Sequence, residues 1–110
     1  MEIIRQYGIN DDKRKLYNLT QTQDMALTEL VGQRIEIKSY VLYGTQNSEG
    51  NPVQVLKIEL DDGKIAVTTS AAFIRGFNDF LDVMGTDEMT ECEITQRLSK
   101  QGRKYIAFKA

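Results

Sequence analysis

The sequence predicts a mostly β domain with one principal helix, and three observations carry that prediction. The first is Ser70–Gly85, SAAFIRGFNDFLDVMG, where Phe73, Phe77, Leu81 and Met84 recur at three- and four-residue steps with Ile74 and Phe80 on the flanks. This is the apolar stripe of a helix of period 3.6. The second is a set of five runs with alternating or continuous apolar character, three before this helix and two after it. The third is size: 110 residues, 41% of them hydrophobic, suit one domain with a real but small core.

Residues 1–21 read as an N-terminal arm and residues 22–110 as a single domain. In the arm, Ile3, Ile4, Leu16, Tyr17 and Leu19 suggest short extended pieces, and Asp11-Asp12-Lys13-Arg14-Lys15 a mobile turn. Thr22 or Asp24 caps a short N-terminal helix over Met25–Val31, with Gly32 as its stop. Two turns are too short to stand alone, so that helix must dock on the sheet.

The first predicted strand runs from Arg34 to Tyr43. Ile35 and Ile37 alternate with Arg34, Glu36 and Lys38, and then Tyr40-Val41-Leu42-Tyr43 is apolar on both sides. A long strand that bends produces this blur. Gly44–Pro52 is a hairpin loop rich in turn formers. The second strand, Val53–Leu60, buries Leu56, Ile58 and Leu60 and turns Val55, Lys57 and Glu59 outward; Asp61-Asp62-Gly63 then turns the chain. The third, Lys64–Thr69, buries Ile65 and Val67. Ser70 caps the central helix and Gly85 ends it. The fourth strand, Thr90–Ser99, turns Cys92, Ile94 and Leu98 inward, and Lys100–Arg103 leads to the last, Lys104–Lys109, with Tyr105, Ile106 and Phe108.

Composition narrows the function. There is no histidine and one cysteine, so no zinc cluster, Ser–His pair or Cys–His pair is available and no cofactor is expected. Carboxylates alone can hold magnesium, but here they sit in turns and on wet strand faces, and the chain does not read as an enzyme. No apolar run approaches the roughly 20 residues of a membrane span, and the start lacks a signal-peptide core, so the expected location is cytoplasmic. Net charge is −2, and its distribution says more than its sign. Phe77–Thr95 holds Asp79, Asp82, Asp87, Glu88, Glu91 and Glu93 and no basic residue. Gln96–Ala110 holds Arg97, Lys100, Arg103, Lys104 and Lys109 and no acidic one. Such a segment attracts anions within an acidic whole.

Five strands with a helix between the third and fourth match the OB fold, a five-stranded Greek-key barrel that binds ligands across its middle strands between two loops. Here those loops are Gly44–Pro52 and Lys100–Arg103. Binding unpaired strands takes cations for phosphates and aromatic faces for bases. The candidate phosphate contacts are Lys38, Lys57, Arg97, Lys100, Arg103 and Lys104, and the candidate stacking platforms are Tyr40, Tyr43 and Tyr105. Tyr43 shares strand parity with Ile35 and Ile37, so it points inward unless the bend flips it.

Three stretches, VGQRIEIKSYVLY, VTTSAAFIRGFNDFL and ITQRLSKQGRKYIAF, resemble small phage or prophage single-stranded DNA-binding proteins of the OB-fold type. The last, with Ser99-Lys100 followed by Gly102-Arg103-Lys104-Tyr105, is the most distinctive. The resemblance implies coating of single strands with little sequence preference during replication or recombination, in a host cytoplasm. The chain departs from the family in having no tryptophan and a longer lead-in, and the acidic recruiting tail of the bacterial relatives is not carried over, since Ala110 comes just after the last strand. The expected partners are single-stranded DNA, replication or recombination proteins and a second copy of the chain, with no membrane. A second reading makes the domain a protein–protein adaptor of a replication, recombination or viral assembly complex, and the acidic stretch and low net charge favour it.

Overall fold

A computed structural model describes all of Met1–Ala110. The elements are β1 (Glu2–Tyr7), α1 (Lys13–Gln21), β2 (Met25–Ala26), a 3-10 turn (Leu27–Leu30), β3 (Arg34–Gln46), β4 (Pro52–Leu60), β5 (Ile65–Thr68), α2 (Ala71–Met84), β6 (Glu91–Leu98) and β7 (Lys104–Lys109). Seven strands form one curled sheet in the order β2-β5-β4-β3-β6-β7, with β1 added to β3. The five strands expected correspond to β3 to β7. Of the two more, β1 holds the extended piece expected at Ile3 and Ile4, and β2 lies at the start of the segment expected to be helical.

β3 is the strand on which the sheet turns. One edge pairs with β4 from Ile37 to Gln46. The other edge is shared: β6 takes Arg34–Glu36, and β1 takes Tyr40–Gly44. Between Ile37 and Ser39 the register with β4 slips by one residue, which makes Lys38 a bulge. Side-chain parity inverts there. Ile35 and Ile37 before the bulge, and Tyr40 and Leu42 after it, all enter the main core. Val41 and Tyr43 turn to the opposite face and join a second cluster with Ile9, Leu19, Val55 and Ile65.

The main core lies between the concave face of the sheet and α2. Phe73, Phe77 and Leu81 are fully buried along the predicted stripe. The Phe77 ring meets Tyr40 edge-on at 4.9 Å and Phe108 at 5.9 Å. The caps are as the sequence predicts: the Ser70 hydroxyl accepts from the Phe73 N–H, and Gly85 is left-handed at φ 69°. Gly76 lets α2 lie close on β7, since a Cβ there would stand 3.0 Å from the Cβ of Phe108.

Several expectations are corrected. Leu16, Tyr17 and Leu19 lie in a helix, α1, rather than in extended pieces, and that helix starts at Lys13 within the expected turn, whereas Ile3 and Ile4 are extended in β1 as expected. The Asp12 carboxylate caps α1 by accepting from the Arg14 and Lys15 N–H groups. Met25–Val31 is not an α-helix: Met25 and Ala26 pair in parallel with Ala66 and Val67, and a single 3-10 turn comes next. Asp24 holds that pairing rather than capping a helix; its carboxylate accepts from the Ile65 N–H and its own N–H donates to Ile65 O. On β5 the parity is inverted. Ala66 enters the main core, whereas Ile65 and Val67 face the second cluster. Val55 is buried on that second face too. Leu98 is 66% exposed, because β6 pairs with β3 only at Glu91–Glu93 and the hairpin beyond runs past the core. Met84, the last residue of α2 before its Gly85 cap, is exposed as well.

Phe77→Ala is expected to cost about 3–5 kcal/mol, read as a lowered urea midpoint, because the ring is fully enclosed by aromatic neighbours. A pH effect arises from Cys92, whose thiol burial pushes up to about 12. In the unfolded chain a thiol ionises near about 8.5. Between those values the folded state keeps a proton that the unfolded state has lost, so this group's contribution to stability falls as pH rises. Burial lowers the pKa of Lys57, whose contribution has the opposite sign, so the comparison to make is with Cys92→Ala. That variant should lose stability less steeply than the parent between about pH 8.5 and 10.

Candidate nucleic-acid interface

The nine residues singled out by the sequence divide into a buried group, an exposed group on one hairpin, and Lys38 between them. Tyr40 is fully buried in the main core, and its hydroxyl donates to Asp87 O at 2.6 Å. Burial, with the Asp87 carboxylate nearby, raises its pKa. Tyr43 lies under α1, turned there by the Lys38 bulge. Lys57 is only 4% exposed, and its ammonium donates to Thr20 O at 2.8 Å and Thr22 O at 3.0 Å. Those carbonyls belong to the last turn of α1 and its cap, where the helix dipole is negative. Tyr40, Tyr43 and Lys57 therefore leave the accessible surface. The reason is one that alternation does not reveal: the outer face of β3, β4 and β5 carries a helix.

Lys38 remains exposed at its bulge. Beside it, α1 and the sheet enclose a cleft of about 450 Å³ lined by Arg14, Lys15, Asn18, Lys38 and Glu59. Lys15 is engaged there, donating to Gly8 O at 2.7 Å and standing 3.8 Å from Glu59. Arg14 and Lys38 make no ion pair. Sequence reading misses Arg14 and Lys15 as site residues; their signal is the run Lys13-Arg14-Lys15, which reads equally as part of a turn.

The β6–β7 hairpin brings the other five together. Arg97 stands directly opposite Tyr105, and Leu98 opposite Lys104. Consecutive residues face opposite sides, so Arg97 and Tyr105 share one face and Lys104 lies on the other. The tip is closed by Ser99, whose N–H donates to Arg103 O at 2.8 Å and whose hydroxyl accepts from the Arg103 N–H at 3.0 Å. Gly102 takes the left-handed turn position, φ 79°. Arg97, Lys100, Arg103 and Lys104 are all exposed and enter no ion pair. Tyr105 is 38% exposed, with its neighbours Thr28, Val31 and Ile106 lining a small notch.

The acidic stretch is treated differently by the fold. Arg5 on β1 reaches Asp82 at 2.6 Å and Asp87 at 3.0 Å, and Arg34 pairs with Glu91 at 3.1 Å. Half of the six carboxylates between Phe77 and Thr95 thus have a cation beside them, while the hairpin cations have no carboxylate. The other expected ligand loop, closed by Asn47, is exposed and polar from Asn47 to Asn51. No group of three or more His, Cys, Asp or Glu side chains is placed to hold a metal ion, and no helix is long and apolar enough to cross a membrane.

Comparison with protein-family models, with curated proteins and with solved structures finds no match.

The hairpin cations should be dispensable for folding. Replacing Lys100, Arg103 and Lys104 together by alanine is expected to leave the urea midpoint unchanged, since none of them holds another group in place. Lys57→Ala is expected to lower stability by about 1–3 kcal/mol in the same melt, because two helix-end carbonyls lose their donor.

Proposed function

We propose that this chain binds single-stranded DNA with little sequence preference, through the β6–β7 hairpin, in support of DNA replication or recombination. The observation that carries the reading is the set of four exposed cations without ion pairs, Arg97, Lys100, Arg103 and Lys104, on a hairpin that projects past the core beside a half-exposed tyrosine. Cations of this kind match phosphates without reading bases, and an aromatic ring matches any unpaired base. The fold is read as an OB barrel opened on one side. The meander β3-β4-β5, the β6–β7 hairpin on the far edge of β3, and α2 between β5 and β6 support that reading. The gap between β5 and β7 is lined by β2 and the 3-10 turn, which adapts the barrel rather than closing it.

The adaptor reading loses ground on a specific point. It draws on the acidic stretch and the low net charge, and Arg5 and Arg34 stand beside three of those six carboxylates and offset two of the six charges.

Fluorescence anisotropy with a labelled poly-dT oligonucleotide tests the proposal. Lys100→Ala, Arg103→Ala and Lys104→Ala combined should weaken binding to every oligonucleotide alike. The slope of log affinity against log salt should become shallower by about 2, at roughly 0.7 per phosphate contact for single strands. Tyr105→Ala should lower affinity by about 1–3 kcal/mol and leave that slope nearly unchanged. A triple variant that binds as well as the parent places the ligand elsewhere and returns the adaptor reading to first place.

A further inference from the structure

The face beneath α1 is built unlike a permanent interior. Lys57 sits in its centre, in line with Val41 on β3 and Val67 on β5. Its ammonium is buried with no carboxylate partner, held only by two carbonyl oxygens at the end of α1. A buried cation lacking an anion is an expensive choice where a methionine would fill the same space. Next to it lies the Tyr43–Val55 row, which presents an aromatic ring on the same face. The cleft at the edge adds Arg14 and Lys38, with Asp12 engaged as the cap of α1 and Glu59 beside Lys15 and Ser39. An aromatic ring, a central ammonium and flanking cations are the chemistry of a single-strand site.

The element covering that face is short, and more polar than apolar contacts hold it: the Lys57 bonds to Thr20 O and Thr22 O, and Lys15 on Gly8 O. α1 spans nine residues, below the length at which a helix is stable by itself. Its first turn holds Lys13, Arg14 and Lys15, the wrong sign for the helix dipole, and the Asp12 cap is the acidic group set against them. The chain enters it through Asn10 and Asp11, two consecutive non-glycine residues in the left-handed region at φ 55° and 59°. Apolar anchoring comes from Ile9, Leu19 and half-buried Leu16. The flanks are firm by contrast: β1 is paired to β3, and Asp24 is bonded to Ile65. Residues 9–23 thus form a segment between two fixed ends, Gly8 being packed close against Lys38 and Ser39 of β3 at one of them.

We propose that α1 is a displaceable cover, and that the sheet face beneath it, with Lys57 and Tyr43, is a second single-strand site that opens when nucleic acid engages the hairpin. The inference rests on the single-strand reading of the hairpin. A backbone phosphate supplies Lys57 with the anion that α1 replaces only by carbonyl dipoles, so ligand and helix compete for one cation. The closed form reduces apparent affinity by the fraction of molecules that are open.

Amide hydrogen exchange on the full chain, with and without poly-dT at low salt, decides the matter. The expected result is faster exchange at Leu16–Thr22 when the oligonucleotide is bound, with the Phe73–Leu81 amides of α2 unchanged. Binding that leaves α1 unchanged or slows its exchange overturns the cover and leaves the hairpin reading standing; absence of binding overturns both. A second arm uses Leu19→Ala, which removes the main anchor of α1 far from the hairpin cations and should tighten poly-dT binding by about tenfold through a larger open fraction. Unchanged affinity in a folded Leu19→Ala protein also overturns the cover; should that variant fail to fold, exchange in the parent decides alone.

Discussion

One extra residue in β3 governs the arrangement of this domain. Because a strand alternates faces with a period of two, the bulge at Lys38 exchanges inside for outside along the rest of the strand. Before the bulge, β3 is a half-wet strand paired to β6. After it, the strand is covered on both faces, with Tyr40 and Leu42 against α2 and Val41 and Tyr43 against α1. The two apolar clusters are thus two sides of one strand. β4 and β5 inherit the same division through their pairing with it, as Leu56, Ile58 and Ala66 show on one side and Val55 and Ile65 on the other.

The same strand sets where charge is exposed. Its first three residues are the only partners β6 has in it, so β6 and β7 continue beyond the core as a free hairpin. Its second half is paired to β1, which brings Arg5 over the end of α2 to meet Asp82 and Asp87. Acidic residues near the body of the domain thereby gain cations, and basic residues on the projecting hairpin do not. A protein with a net charge of −2 acquires one uncompensated basic projection.

How much of this was legible depends on whether each segment carried its own signal. α2 did: its stripe, Ser70 and Gly85 all act locally, and the helix lies where they place it. The β6–β7 hairpin did too, through Gly102 and the alternation around it. The burial of Lys57 did not, because a lysine alternating with Leu56 and Ile58 looks like any wet residue until a helix from elsewhere covers it. Nor did α1, whose polar sequence buries only Leu19 and Thr20. Its capping residue Asp12 stands in a run of charges that reads equally well as a turn. The inversion at Lys38 was hidden by its neighbours, since Tyr40-Val41-Leu42-Tyr43 is apolar in either register. Leu98 shows the reverse failure. Its parity is that of Ile94, but parity says nothing about where the layer beneath it ends.

The central claim is that the projecting hairpin is the surface that meets unpaired DNA, and backbone chemical-shift mapping of the unmodified protein addresses it without any substitution. Titration with poly-dT should shift the amide resonances of Arg97 to Tyr105 first, with saturation that weakens as salt is added. Shifts confined to the acidic segment between Asp79 and Glu93, or no shifts at low salt, would contradict the account.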